Sequence, residues 1–106
     1  MDYNDEMRLS DTEINLLLTV IHTVDKTAEV RLFGSRVDDA KQGGDIDIII
    51  LSSYPERFTR QALRLIRQHF FDKFGEQKID LVIDTPEPTD PFTKKVVPHS
   101  IKLNHS

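Results

Sequence analysis

Two aspartates, Asp45 and Asp47, stand one residue apart at the head of DIDIIIL (45–51), the run richest in isoleucine in the chain. In an extended strand successive side chains point to opposite faces. These two carboxylates therefore share one face, while Ile46, Ile48 and Ile50 share the other and face a core. Positions two apart are separated by roughly 6.6–7 Å along a strand, which lets both carboxylates lean onto ions held between them. Like charges so placed disfavour each other's ionisation, and a divalent cation removes that penalty. A third acid, Asp80, lies between Ile79 and Leu81 in KIDLVIDT (78–85), and if that segment lies beside the first it joins Asp45 and Asp47 as a third oxygen ligand. Three carboxylates with no histidine or thiolate in the motif suit Mg²⁺ or Mn²⁺ better than Zn²⁺. Mg²⁺ commonly takes substrate phosphate oxygens as well, so the expected ligand is a nucleotide.

Taken alone, a D-x-D beside a Gly-Gly pair more often ends a turn than binds metal. What raises this one is LFGSR at 32–36. A Gly-Ser pair directly after a strand lets backbone approach an anion closely, with Gly34 and Ser35 supplying N–H and hydroxyl donors and Arg36 a positive charge. Arg36 has a competing use as a surface ion pair with Asp38 or Asp39. An EF-hand is excluded, because apolar residues occupy the places where its loop needs oxygen ligands and glycine.

The elements that must position these residues follow from pattern. SDTE at 10–13 has the form of a capping box ahead of INLLLTVIHTV, in which Ile14, Leu17, Leu18 and Ile21 recur at helical spacing. It predicts a first helix near 11–25. EVRLF (29–33) and DIDIIIL (45–51) read as strands joined by a connection too short for a helical crossover, hence as antiparallel neighbours. SSYPERF offers a cap and a first-turn proline to a second helix over about 55–74, with Phe58, Ala62, Leu65, Ile66 and Phe70 as its stripe and Gly75 as its stop. KIDLVIDT is a third strand, which that helix could bring into the same sheet. PEPTDP (86–91) is a proline-rich linker, and FTKKVV (92–97) predicts one or two helical turns. The fold class expected is α/β (α+β): a small mixed sheet with helices packed on one side.

At 106 residues, 38% hydrophobic and 30% charged, the chain suffices for one small domain over 1–106, with a core at about 10–84 and a linker and tail at 85–106. Without cysteine there is neither a disulfide framework nor a thiolate metal site, which suits a reducing, cytoplasmic setting. No apolar run approaches a membrane span, and MDYNDEM lacks the basic start of a signal peptide, so a soluble protein with no membrane partner is expected. A net charge of −4 without a basic block argues against broad nucleic-acid binding, but leaves local basic residues free to hold one small anion.

Gly-Ser, nine residues, Asp-x-Asp and a later acid flanked by apolar residues resembles the motif of the DNA polymerase β-like nucleotidyltransferase superfamily. More narrowly, the chain is similar to the stand-alone minimal nucleotidyltransferase (MNT) domains found beside HEPN-domain proteins. The resemblance covers about Glu29 to Ile83. It implies that Gly34 and Ser35, with Arg36, hold the phosphates of ATP, that Asp45 and Asp47 bind the metal ions bridging them, and that Asp80 completes the second ion site and helps activate an acceptor hydroxyl. The implied reaction is transfer of AMP from ATP, in some members to a tyrosine of a HEPN toxin, for which the MNT protein is the antitoxin. Val37, Asp38 and Asp39 depart from the small, basic or apolar, and glycine residues that many relatives carry after G-S-R. Their added negative charge opposes phosphate binding unless Arg36 or Lys41 offsets it. Larger relatives add an acceptor domain for which only the tail after Pro91 remains here, which disfavours transfer to an RNA end or a small-molecule hydroxyl. The competing reading is a partner-binding antitoxin module that keeps the fold without the chemistry. Self-association is left open.

Other residues carry weaker claims. Asp84 reads as a turn residue, His22 and His69 as packing or surface groups, and His99 and His105 as tail. Lys94 and Lys95 read as a solvated pair unless the tail folds back over the site. Phe58, Phe70 and Phe74 read as core.

Overall fold

The computed structural model of the chain describes residues 9–34 and 45–104. Helix α1 (Asp11–Val24) begins at the predicted capping box. The Glu13 N–H donates to Ser10 Oγ at 3.1 Å and the Ser10 N–H to Glu13 Oε1 at 2.8 Å. Ile14, Leu17, Leu18 and Ile21 are its buried stripe, as their spacing predicts. Strands β1 (Glu29–Phe33) and β2 (Ile46–Leu51) pair antiparallel from Glu29 opposite Leu51 to Phe33 opposite Asp47.

The second helix starts later than its proline suggests. Pro55–Arg57 form one 3₁₀ turn, and helix α2 spans Arg60–Phe74 with Thr59 as its cap, accepting the Ala62 N–H at 3.1 Å. Phe58 leaves helical geometry between the two and buries its ring, so Thr59 rather than the serines supplies the capping oxygen. The predicted stripe is corrected with it: Leu65 is 49% exposed, because Ile66 and Phe70 face the core and Leu65 lies about 100° round the helix from Ile66. Gly75 stops α2 at φ +90°, its N–H donating to Phe71 O.

Strand β3 (Ile79–Asp84) then lies parallel to β2, reached through the α2 crossover. Helix α3 (Pro91–Val96), capped by Asp90, and a 3₁₀ turn (Val97–His99) lead to strand β4 (Ile101–Lys102), which pairs antiparallel with β1. The sheet order is β3-β2-β1-β4, a mixed four-stranded α+β arrangement. The fourth strand has no counterpart in the sequence reading: two residues are too few for a periodic signal. Asn104 extends that edge, accepting the Val30 N–H at 2.6 Å and donating to Ala28 O at 3.0 Å, while Leu103 enters the core.

The two long helices share one side of the sheet. Ile46, Ile48 and Ile50 of β2 meet Val30 and Leu32 of β1, the α1 stripe, and Ile66 and Phe70 of α2 in one cluster. Each fully buried isoleucine contributes about 1.5–3 kcal/mol by leaving water. The opposite face, which carries Asp47, is covered in part by the tail. Arg31, opposite Ile49, donates from Nε to Ser100 Oγ at 2.6 Å, and the Phe33 ring meets Phe92 edge-on at 5.7 Å. Ile49 is fully buried on that face, so the tail closes one part of it. Among the described residues no helix is long and apolar enough to cross a membrane.

Candidate active site

Strand alternation sends Asp47 away from the isoleucine core, and the parallel register of β2 with β3 sets Asp80 directly beside it. The two carboxyl groups interact across the parallel strand pair. Burial first, then this contact and the like charges of Asp80 and Asp45, push the Asp47 carboxyl from its ordinary 3.8 up to about 6, with Lys78 offsetting a little. The pair belongs to one electrostatic site.

Gly34 closes the site from the end of β1. Its φ is +80°, a left-handed conformation open to glycine, and a Cβ there would stand 2.3 Å from Asp47 Oδ2 and 3.2 Å from Cγ. Glycine is thus required twice at this position, by backbone and by space. Phe33, the preceding residue, is the cross-strand partner of Asp47, so β1 supplies both the close approach and an aromatic neighbour.

Asp45 is placed differently. It lies one residue ahead of β2 and stands 3.6 Å from Lys78 Nζ, with both side chains substantially exposed. Such a pair adds little to stability. Among the described residues no three acidic, histidine or cysteine side chains converge as a metal-holding group, so the trio expected from sequence is here a pair, Asp47 with Asp80, and a third acid, Asp45, turned toward a lysine. Ser35 and Arg36, together with Val37, Asp38, Asp39 and Lys41, lie outside the described residues.

The donor chemistry of the pair fits a hard divalent cation: two carboxylates, one of them reluctant to ionise beside the other, and a glycine at the position where any side chain would displace one of them. Mg²⁺ or Mn²⁺ would be held by Asp47 and Asp80.

Two acids elsewhere on the chain do structural work. Asp84 is buried and accepts the N–H groups of Thr85 (2.7 Å), Thr89 (3.2 Å) and Asp90 (3.1 Å). Burial alone would raise its carboxyl, but these donors prevail and hold it at about 2. It is the anchor of the linker before α3, the turn role its position suggested. Asp25, buried where α1 ends, accepts the Thr27 N–H (3.0 Å) and hydroxyl (2.7 Å) and the Ser52 hydroxyl. Burial opposes ionisation, yet these bonds, aided by Arg57, keep its carboxyl below the ordinary value. The sequence reading gave Asp25 no role, though an aspartate two residues before a threonine at a helix end is the signature of an Asx turn.

Neither His22 nor His69 is drawn into the carboxylate site. His22 Nε2 lies 3.2 Å from Ala28 O and 3.3 Å from Asn104 Nδ2, His69 is exposed on α2, and His105 lies outside the described residues. The tail does fold back. Phe33, Gly34, Phe92, Lys95, Val96 and His99 line a recess of about 360 Å³ beside the carboxylates, and of these only Gly34 was assigned to the site from sequence.

A search of curated proteins found no match to the chain. The family model described as a nucleotidyltransferase domain matches residues 14–103, a stretch that runs from α1 through Gly34, Asp47 and Asp80 to the end of the sheet. With that share of its length matched, the chain belongs to the nucleotidyltransferase domain family of the polymerase β-like superfamily.

Proposed function

We propose that this protein transfers AMP from ATP to a hydroxyl in a divalent-cation-dependent reaction, and that the acceptor is a tyrosine of a HEPN-domain toxin for which the chain is the antitoxin. The observation that carries the chemistry is Asp47, pressed against Gly34 and in register with Asp80. When bound, Mg²⁺ supplies neutralisation of phosphate charge and a lowered pKa for the attacking hydroxyl. Gly34 and Ser35 hold the triphosphate by close backbone approach, with Arg36 as charge partner. Asp47 and Asp45 fix the phosphate end, and Asp80 orients the acceptor hydroxyl and accepts its hydrogen bond. The acceptor oxygen attacks the α-phosphorus in line, the bond to the β-phosphate oxygen breaks, pyrophosphate leaves, and the hydroxyl proton passes by way of Asp80 to water; such a displacement asks little beyond this positioning. The tyrosine and HEPN assignments rest on the resemblance to MNT domains.

A second reading is favoured by one observation: Asp45 faces Lys78 and only two carboxylates converge among the described residues. On that reading the chain neutralises its partner by binding alone. The discriminating experiment incubates the protein with labelled ATP, Mg²⁺ and the co-encoded partner, then seeks an added AMP by mass spectrometry. Modification by the wild type and none by Asp47→Asn or Asp80→Asn supports the enzyme. A partner neutralised yet unmodified, equally by wild type and variants, establishes the binding module.

A further inference from the structure

We propose that the recess lined by Phe33, Gly34, Phe92, Lys95, Val96 and His99 receives the base of the nucleotide by stacking. This rests on the proposed reading in which Asp47, with Asp45, is the phosphate end. Gly34 is common to both places: it lines the recess and its Cα abuts the Asp47 carboxylate. Phe33 likewise lines the recess and is the cross-strand partner of Asp47. Recess and carboxylates therefore share one wall, and a nucleotide whose phosphates meet the carboxylates has its base delivered to the aromatic side.

The lining suits a flat ring. Phe33 and Phe92 meet at 71° with centroids 5.7 Å apart, an edge-on contact that leaves ring faces free for another partner. Phe92 is 50% exposed, a large apolar surface at the mouth of a recess whose volume of about 360 Å³ falls in the range of small-molecule pockets. Among the described lining residues, Lys95 and His99 are the polar members and none is a carboxylate that would repel a phosphorylated ligand. Among the described residues, no Asn, Gln, Ser or Thr side chain lines the recess. Binding by stacking tolerates any base, because every base has a π-face. The consequence is a site that prefers large rings yet barely separates ATP from GTP.

Calorimetric titration of the full chain in Mg²⁺ with ATP, GTP and inorganic tripolyphosphate tests this. The two nucleotides should bind within about threefold of each other and roughly 5- to 100-fold more tightly than tripolyphosphate. Phe92→Ala, at an exposed position, should erase that advantage and leave tripolyphosphate binding unchanged. Independently of any variant, the H8 proton of the bound purine should show nuclear Overhauser contacts to phenylalanine ring protons. Equal affinity of the wild type for ATP and tripolyphosphate, or an unaltered ATP advantage in Phe92→Ala, overturns the base assignment while sparing the carboxylate site. Absence of binding by both ATP and tripolyphosphate overturns the two together.

Discussion

Replacing Gly34 by alanine probes the site where backbone and chemistry meet. An alanine held at φ +80° costs about 1–2 kcal/mol. Its Cβ would also stand 2.3 Å from Asp47 Oδ2, the free end of a side chain, so the carboxylate swings aside while the strand stays in place. Holding that side chain away from its rotamer adds about 0.5–1.5 kcal/mol, and the total loss is roughly 1.5–3.5 kcal/mol. The assay is urea denaturation in EDTA of wild type, Gly34→Ala, Asp47→Ala and the double variant. With Asp47 truncated the new methyl meets no carboxylate, so Gly34→Ala costs only its backbone share. The cycle should then show coupling of about 0.5–1.5 kcal/mol. Gly34→Ala should in addition lose the rise in Tm that Mg²⁺ and ATP produce in the wild type. Strict additivity in the cycle, or an undiminished Mg²⁺–ATP response, refutes the contact on which the site is built.

Three further outcomes are expected. Asp47→Asn should stabilise the metal-free protein at pH 7: a carboxyl raised from 3.8 to about 6 is destabilised when ionised, so the wild type loses stability as pH rises across that interval. The ceiling is about 3 kcal/mol, reduced to about 1 kcal/mol because solvent screens a partly exposed group. Urea titrations at pH 4 and pH 7 in EDTA check both the sign and the loss of the interval in the variant. Asp84→Asn should cost about 1–3 kcal/mol by setting an amide NH₂ against one of the N–H groups the carboxylate now accepts. In the wild type the contribution of Asp84 is present above 3.8 and lost as pH falls through about 2, a transition readable by circular dichroism. Asn104→Ala should free the Val30 N–H and the Ala28 carbonyl, costing about 1–3 kcal/mol, with faster hydrogen exchange at Val30 as its local mark.

How much of this was legible in the sequence depends on how local each signal is. The capping box at Ser10, the α1 stripe and the alternation of aspartate with isoleucine in β2 are written within a few residues, and each appears as read. The start of α2 was not: Pro55 and Thr59 both offer helix beginnings, and the burial of Phe58 decides between them. Cross-strand register is non-local in the same way. Alternation put Asp45 and Asp47 on one face, but whether Asp80 meets one or both depends on which residues pair between β2 and β3, and the register selects Asp47. The fourth strand and the aromatic recess arise only when the tail returns to the sheet, through Arg31 with Ser100 and Phe33 with Phe92, contacts spanning more than half the chain.

The central claim is that Asp47 and Asp80 form one divalent-cation site against Gly34, and paramagnetic broadening by Mn²⁺ in a ¹H–¹⁵N spectrum locates that site without reference to activity. At substoichiometric Mn²⁺, the amides of Gly34, Asp47 and Asp80 should broaden first, Asp45 with or just after them, while those of the structural acids Asp25 and Asp84 persist. Broadening centred on Asp84 or Asp25, or spread evenly over the acidic surface, would contradict it.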